Sequence, residues 1–192
     1  MLAAAALLAW IGGGFPAAAL PLALLVVAFA IFHDPPQVAP AAPRGIVSPV
    51  DGKVVEAGLA DPAAGENGTL SIVIRVNTFG TYTARSPVEG KVMDLRGEER
   101  TMLSVGDDPG LWLRTDEGRD VVLLFRRNRF GLAPRSLVGY GERVGQGHPC
   151  AYLRMARLVE VRVPAGSVLL VEPGERVAGG LDPVARFPSG ES

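Results

Sequence analysis

The chain has almost no cysteine, few aromatic residues, no charged side chain in its first 32 residues and no surplus of basic residues. A single cysteine, Cys150, rules out an intramolecular disulfide framework, and its apolar neighbours point to a buried strand thiol rather than a nucleophile. A formal net charge of −1 gives nucleic acid no electrostatic foothold, because binding it takes excess Lys and Arg clustered on one face. The two histidines, His33 and His148, lack partners at the spacing of a metal site or a Ser-His-Asp triad, so no metal is expected. Aromatics make up only 6% of a chain that is 48% hydrophobic, so a core must come from Val, Leu, Ile and Ala. A length of 192 residues suits one compact domain plus an anchor and leaves no room for a second large domain.

The uncharged stretch 1–32 is split by Gly12-Gly13-Gly14 and Pro16, and only 15–32 approaches the roughly 20 residues that span a bilayer core. It reads as a membrane anchor, either one helix or a helical hairpin with the shorter piece. A cleavable signal peptide competes, since Ala28-Phe29-Ala30 resembles a small-residue cleavage site, but a basic leading region is missing. Arg44 and Lys53 follow the stretch and no Lys or Arg precedes it, which places the remainder on the cytoplasmic side of a cell membrane. Residues 33–43, rich in Pro and Ala, read as a tether; 44–180 form the folded domain and 181–192 a tail.

Within the domain, short apolar runs alternate with polar residues at 53–57, 70–76, 91–95, 111–115, 121–125, 150–154, 158–163 and 168–171. Each has strand length. Asp51-Gly52, Asn67-Gly68, Glu89-Gly90, Glu117-Gly118 and Pro173-Gly174 punctuate them as turns, with no helical period between. The pattern predicts an all-β, mainly antiparallel domain, a compact sandwich or flattened barrel. Two phrases occur twice: Ser48-Pro49-Val50-Asp51-Gly52-Lys53-Val54 with Ser86-Pro87-Val88-Glu89-Gly90-Lys91-Val92, and Gly141-Glu142-Arg143-Val144-Gly145-Gln146-Gly147 with Gly174-Glu175-Arg176-Val177-Ala178-Gly179-Gly180. Such pairs predict similar hairpins at related corners of one fold.

The order of these features, from the anchor through Phe32-His33-Asp34-Pro35 and the two Ser-Pro phrases to the Gly-Glu-Arg-Val hairpins, resembles the short, membrane-anchored phosphatidylserine decarboxylases over nearly the whole chain. The resemblance implies a compact, mainly β domain that makes phosphatidylethanolamine from phosphatidylserine. It also implies a pyruvoyl group derived from the enzyme's own serine. That serine's Oγ attacks the preceding carbonyl, the ester undergoes β-elimination, and hydrolysis leaves the pyruvoyl group on the new C-terminal fragment. Its ketone then serves as the electron sink for decarboxylation.

Carried over residue by residue, the resemblance gives Asp51 the family's catalytic carboxylate, although Asp-Gly is also a common hairpin turn. The family's histidine phrase is matched by Asn77 to Pro87, with Tyr82 at the histidine position. The processing phrase is matched by Met155-Ala156-Arg157-Leu158-Val159-Glu160, with Arg157 at the serine position and Ala156 before it in place of glycine. A guanidinium has no nucleophilic oxygen and cannot become a pyruvoyl group, so no cofactor is expected. Gly166-Ser167 offers another serine, in a setting that looks like an ordinary turn.

These departures lead us to expect an unprocessed, catalytically degenerate relative acting in phospholipid metabolism. It would bind membrane phospholipids or partner an active lipid enzyme, and it could be a homo-oligomer. Arg126, Arg127, Arg129 and Arg135 are the candidate lipid contacts, a solvated strand end being their bland reading. An active decarboxylase using another serine is one rival. A lipoyl-like sandwich adaptor of an export system is the second, since its domains share the Ser-Pro-x-Asp-Gly-Lys-Val phrase, but the flanking helical hairpins of such adaptors are absent here.

Overall fold

The repeated Ser-Pro phrases each build a corner of the same kind, and those two corners organise the computed structural model, which describes residues 15–32, 44–60, 68–77, 80–93, 103–105, 108–126, 134–153 and 156–188. In the first corner Ser48 Oγ donates to the Val50 carbonyl at 2.7 Å, and in the second Ser86 Oγ donates to Val88, also at 2.7 Å. The corners are stitched reciprocally. Val47 N donates to the Pro87 carbonyl at 2.9 Å while Arg85 N donates to the Pro49 carbonyl at 2.8 Å.

Among the described residues one helix, α1 (Phe15–Phe32), precedes fifteen strands. They are β1 (Gly45–Val47), β2 (Gly52–Leu59), β3 (Leu70–Val76), β4 (Thr83–Arg85), β5 (Gly90–Val92), β6 (Leu103–Val105), β7 (Asp108–Arg114), β8 (Asp120–Arg126), β9 (Arg135–Ser136), β10 (Arg143–Val144), β11 (Pro149–Tyr152), β12 (Leu158–Val163), β13 (Val168–Leu169), β14 (Arg176–Val177) and β15 (Pro183–Arg186). A long sheet runs β10-β5-β7-β8-β12-β3-β2-β14, with β6 added beside β7, and two three-stranded sheets run β1-β15-β13 and β4-β11-β9. The pairings are antiparallel, as expected, but the sheets are open rather than closed into a barrel.

The wiring is the same in both halves. β14 lies on β2 with Arg176 opposite Lys53, and β10 lies on β5 with Arg143 opposite Lys91. Gly174 N and Gly141 N then donate to the carbonyls of Val54 and Val92 at 2.8 and 2.9 Å. Gly52 and Gly90, expected as turn residues, instead open strands: an added Cβ would lie 2.3 Å from the Arg75 oxygen in one half and 2.4 Å from the Arg114 oxygen in the other. Glycine is required there because backbones approach closely, not because a turn needs positive φ.

One core lies between the sheets, built from aliphatic side chains such as Ile46, Val54, Ile74, Leu113, Leu123, Val159 and Val184, with Phe125 its largest fully buried member. Packing holds a buried charge pair in β12 and corrects one expectation, the tail. Glu160 and Arg162, polar residues alternating with the core valines of β12, are buried. They survive burial as an ion pair: Arg162 Nε lies 2.9 Å from Glu160 Oε1, Ser71 Oγ donates to that oxygen at 2.8 Å, and Arg126 Nη2 reaches Oε2 at 2.7 Å. The supposed tail holds β15, the middle strand of a sheet, with Val184, Ala185 and Phe187 buried. Among the described residues no helix is long and apolar enough to cross a membrane.

Candidate active-site corner

Asp51 stands where the first corner feeds β2, and its position is fixed from three sides. Its carbonyl accepts from Asn77 N at 2.8 Å. Its carboxylate accepts from Thr81 N at 2.9 Å through Oδ2 and from Gly179 N at 2.7 Å through Oδ1. Gly80 packs so tightly that an added Cβ would lie 2.8 Å from the Asp51 Cβ. Two backbone donors, one for each oxygen, suit an ionised carboxylate and leave each oxygen a further lone pair.

The second corner shows what Asp51 is not. Its counterpart, Glu89, is exposed and takes Arg143 Nη2 at 3.1 Å, a nitrogen that also bonds Asp116. The same phrase thus yields one carboxylate held inside a corner by amides and one spent on a surface ion pair.

Tyr82 follows Thr81 directly. It is half-buried, its ring centroid lies 5.8 Å from that of Tyr152, and its carbonyl accepts from Leu153 N at 3.0 Å. Arg157 is exposed just before β12, where its carbonyl accepts from Val76 N at 3.0 Å. Val76 and Asn77 are consecutive, so the end of β3 holds Arg157 on one side and Asp51 on the other, with about two strand spacings, roughly 10 Å, between their backbones. Asp51, Tyr82 and Arg157 therefore gather at one end of the sheet.

Ser167 does not join them. It follows the far end of β12, whose six residues span about 20 Å. Its Oγ is buried without a hydrogen-bond partner among the described residues.

The arginine run divides. Arg126 is engaged by Glu160, Arg135 is exposed on β9 opposite Tyr152, and Arg127 and Arg129 lie outside the described residues, as does His33. Among the described residues no group of His, Cys, Asp and Glu could hold a metal ion. Cys150 is the buried strand thiol expected: burial pushes its pKa up to about 12, against smaller opposing effects of a backbone hydrogen bond and of Arg85. What residue types could not announce is the donor set on Asp51, because the Thr81 and Gly179 groups are backbone amides. The only signal was Gly179-Gly180 closing a repeated phrase.

Comparison with known proteins identifies the lineage. No protein-family model matches the chain. The phosphatidylserine decarboxylase proenzyme of Nitrosomonas eutropha is 30% identical over 183 residues, covering 88% of this chain and 82% of that protein. The proenzyme of Burkholderia mallei is 28% identical over 197 residues, covering 97% and 90% respectively. The chain belongs to the phosphatidylserine decarboxylase family, a family of phospholipid metabolism, and the lipoyl-like adaptor reading is not favoured. Among solved structures, the glucose permease IIA of Mycoplasma capricolum matches with a TM-score of 0.52 at 16% identity, over 73% of this chain and 93% of that one, a likeness of fold alone.

Proposed function

We propose that this family member remains one unprocessed chain, is held at a membrane, and binds a phospholipid headgroup at the Asp51 corner without decarboxylating it. The observation that carries the reading is Arg157, which stands where the sequence resemblance to the family places the pyruvoyl-forming serine. The residues present do not fit that group: Arg157 has no hydroxyl, and Ala156 before it is buried and held in a turn by a bond from its N–H to the Leu153 carbonyl at 2.9 Å. Asp51 is only partly buried, and its carboxylate is the proposed contact for a headgroup amine. Arg127, Arg129 and Arg135 are the proposed phosphate contacts. Ser167 is disfavoured as a substitute nucleophile by its distance from Asp51 and Tyr82.

Attachment to the membrane is supported by α1. Leu22, Leu24, Leu25, Val26, Val27 and Phe29 are all exposed and cover every side of the helix, which in water would be costly and in lipid is favourable. Its 18 residues measure about 27 Å, short of the roughly 30 Å of a hydrocarbon core, so the helix is proposed to attach the chain to the membrane rather than to cross it. Arg44 and Lys53 favour a cytoplasmic β domain.

The test pairs two assays on the purified full chain: release of carbon dioxide from phosphatidylserine, and flotation with vesicles containing it. Binding without carbon dioxide release is expected. Turnover contradicts the proposal, and loss of binding with no turnover makes a partner enzyme the better account of why the fold is kept.

A further inference from the structure

We infer that the outer face of the β1-β15-β13 sheet rests on an anionic lipid surface and sets the orientation of the β domain on the membrane, an inference that rests on reading α1 as a membrane anchor. In this sheet Gly45 of β1, Arg186 of β15 and Val168 of β13 lie side by side in register. Strand alternation turns Leu169 towards the core and leaves Val168 and, beyond it, Leu170 outward, 47% and 45% exposed. Leu170 is tied in by a bond from its N–H to the Val184 carbonyl at 3.0 Å, so its exposure belongs to an ordered backbone. Arg186 is exposed beside the two apolar positions, and Arg44 is exposed on the neighbouring chain segment, its carbonyl taking Phe187 N at 3.1 Å.

The composition is that of a membrane-facing surface: two aliphatic side chains to enter the headgroup layer, flanked by two arginines to meet phosphate. Two of the acidic groups near it are engaged by backbone amides, Glu175 accepting from Glu172 N at 3.2 Å and Asp182 from Ala178 N at 2.8 Å. Glu172 and Glu175 sit in the turn that leaves the sheet towards β2. At the same end of the molecule Leu59 is 77% exposed; it pairs with Leu70, which pairs with Val163, and Gly68 nearby approaches Ala165.

Two features select this sheet over the equivalent one, β4-β11-β9. There the matching outward positions hold Tyr152 and Arg135, so only one apolar ring stands against one charge. Moreover, β1 is the strand into which the chain runs from α1: Gly45 lies 13 residues beyond Phe32, so the anchor delivers this sheet first. If docked this way, the domain presents the Asp51 corner at a fixed angle instead of tumbling on its tether, raising the effective headgroup concentration there.

The experiment uses the full chain in vesicles of phosphatidylcholine with phosphatidylglycerol, or phosphatidylcholine alone, each doped with spin-labelled lipid. Fluorophores are placed at Val168→Cys, Leu170→Cys or, as control, Glu56→Cys on the exposed face of the long sheet. Cys150 stays unlabelled because it is buried. Quenching is expected at 168 and 170 but not at 56, strongest with phosphatidylglycerol. Pairing Arg44→Glu with Arg186→Glu should reduce the docked fraction roughly tenfold, as expected for reversing two charges near an anionic leaflet. If the chain floats with vesicles while 168 and 170 are quenched no more than 56, the docking face is wrong and the anchor stands. If the chain does not float, both fall.

Discussion

Gly179 donates its N–H to Asp51 Oδ1 at 2.7 Å across 128 residues of sequence, closing the last repeated hairpin onto the first. The same carboxylate takes Thr81 N on its other oxygen, so one side chain pins three separate segments. Asp51, the proposed headgroup contact, is therefore also a structural clamp.

Asp51→Ala should destabilise the protein by about 1–3 kcal/mol, the cost of leaving partly buried amides without an acceptor. Glu89→Ala, the equivalent change in the second corner, should stay within about 0.5 kcal/mol because it removes only an exposed ion pair. Urea unfolding of both variants checks this; equal effects would mean that the two corners are not differentiated as described.

Gly80→Ala should cost about 1–3 kcal/mol, since its Cβ would lie 2.8 Å from the Asp51 Cβ and the corner must move to admit it. The same substitution should weaken headgroup binding by displacing the carboxylate. Flotation of the variant at a temperature well below its unfolding transition separates the two effects.

Breaking the buried network on β12 should be the most damaging single change. Glu160→Ala leaves Arg162 buried without its partner and should cost about 3–5 kcal/mol, whereas the double replacement Glu160→Leu with Arg162→Met should recover most of that loss. Denaturant midpoints for the single and double variants decide it, and a double variant no more stable than the single one would show that the pair itself is needed.

Cys150 should resist thiol reagents at pH 8 until the protein unfolds, because the folded thiol, pushed up to about 12 by burial, stays protonated. An unfolded cysteine ionises near 8.5. Between those values the unfolded chain binds fewer protons than the native one, so this residue's contribution to stability is full below about pH 8.5 and is lost as pH rises towards 12. Labelling rates with and without urea, and alkaline unfolding of Cys150→Ala against the parent, measure both halves of the statement.

Much of the architecture was legible because repetition and alternation are sequence properties. The runs at 70–76 and 158–163 coincide with β3 and β12, and the doubled phrases mark the two corners. Two- and three-residue strands such as β1, β4 and β9 were not legible, since alternation needs more positions than they contain. The burial of Glu160 and Arg162 was not legible either, because alternation does not reveal that a charge can be buried beside its own partner two residues away. In the candidate site, Asp51 was visible in its phrase, and Tyr82 and Arg157 came from the family resemblance. The amides that hold Asp51 carry no residue identity and appear only once the chain is folded.

The central claim is that the chain is never processed, and intact mass of the purified full-length protein tests it most directly. The account predicts a single species of 20.1 kDa that does not react with a carbonyl probe. Two fragments, the C-terminal one carbonyl-reactive, would contradict it, and a junction at Ser167 would show that another serine had taken over the chemistry.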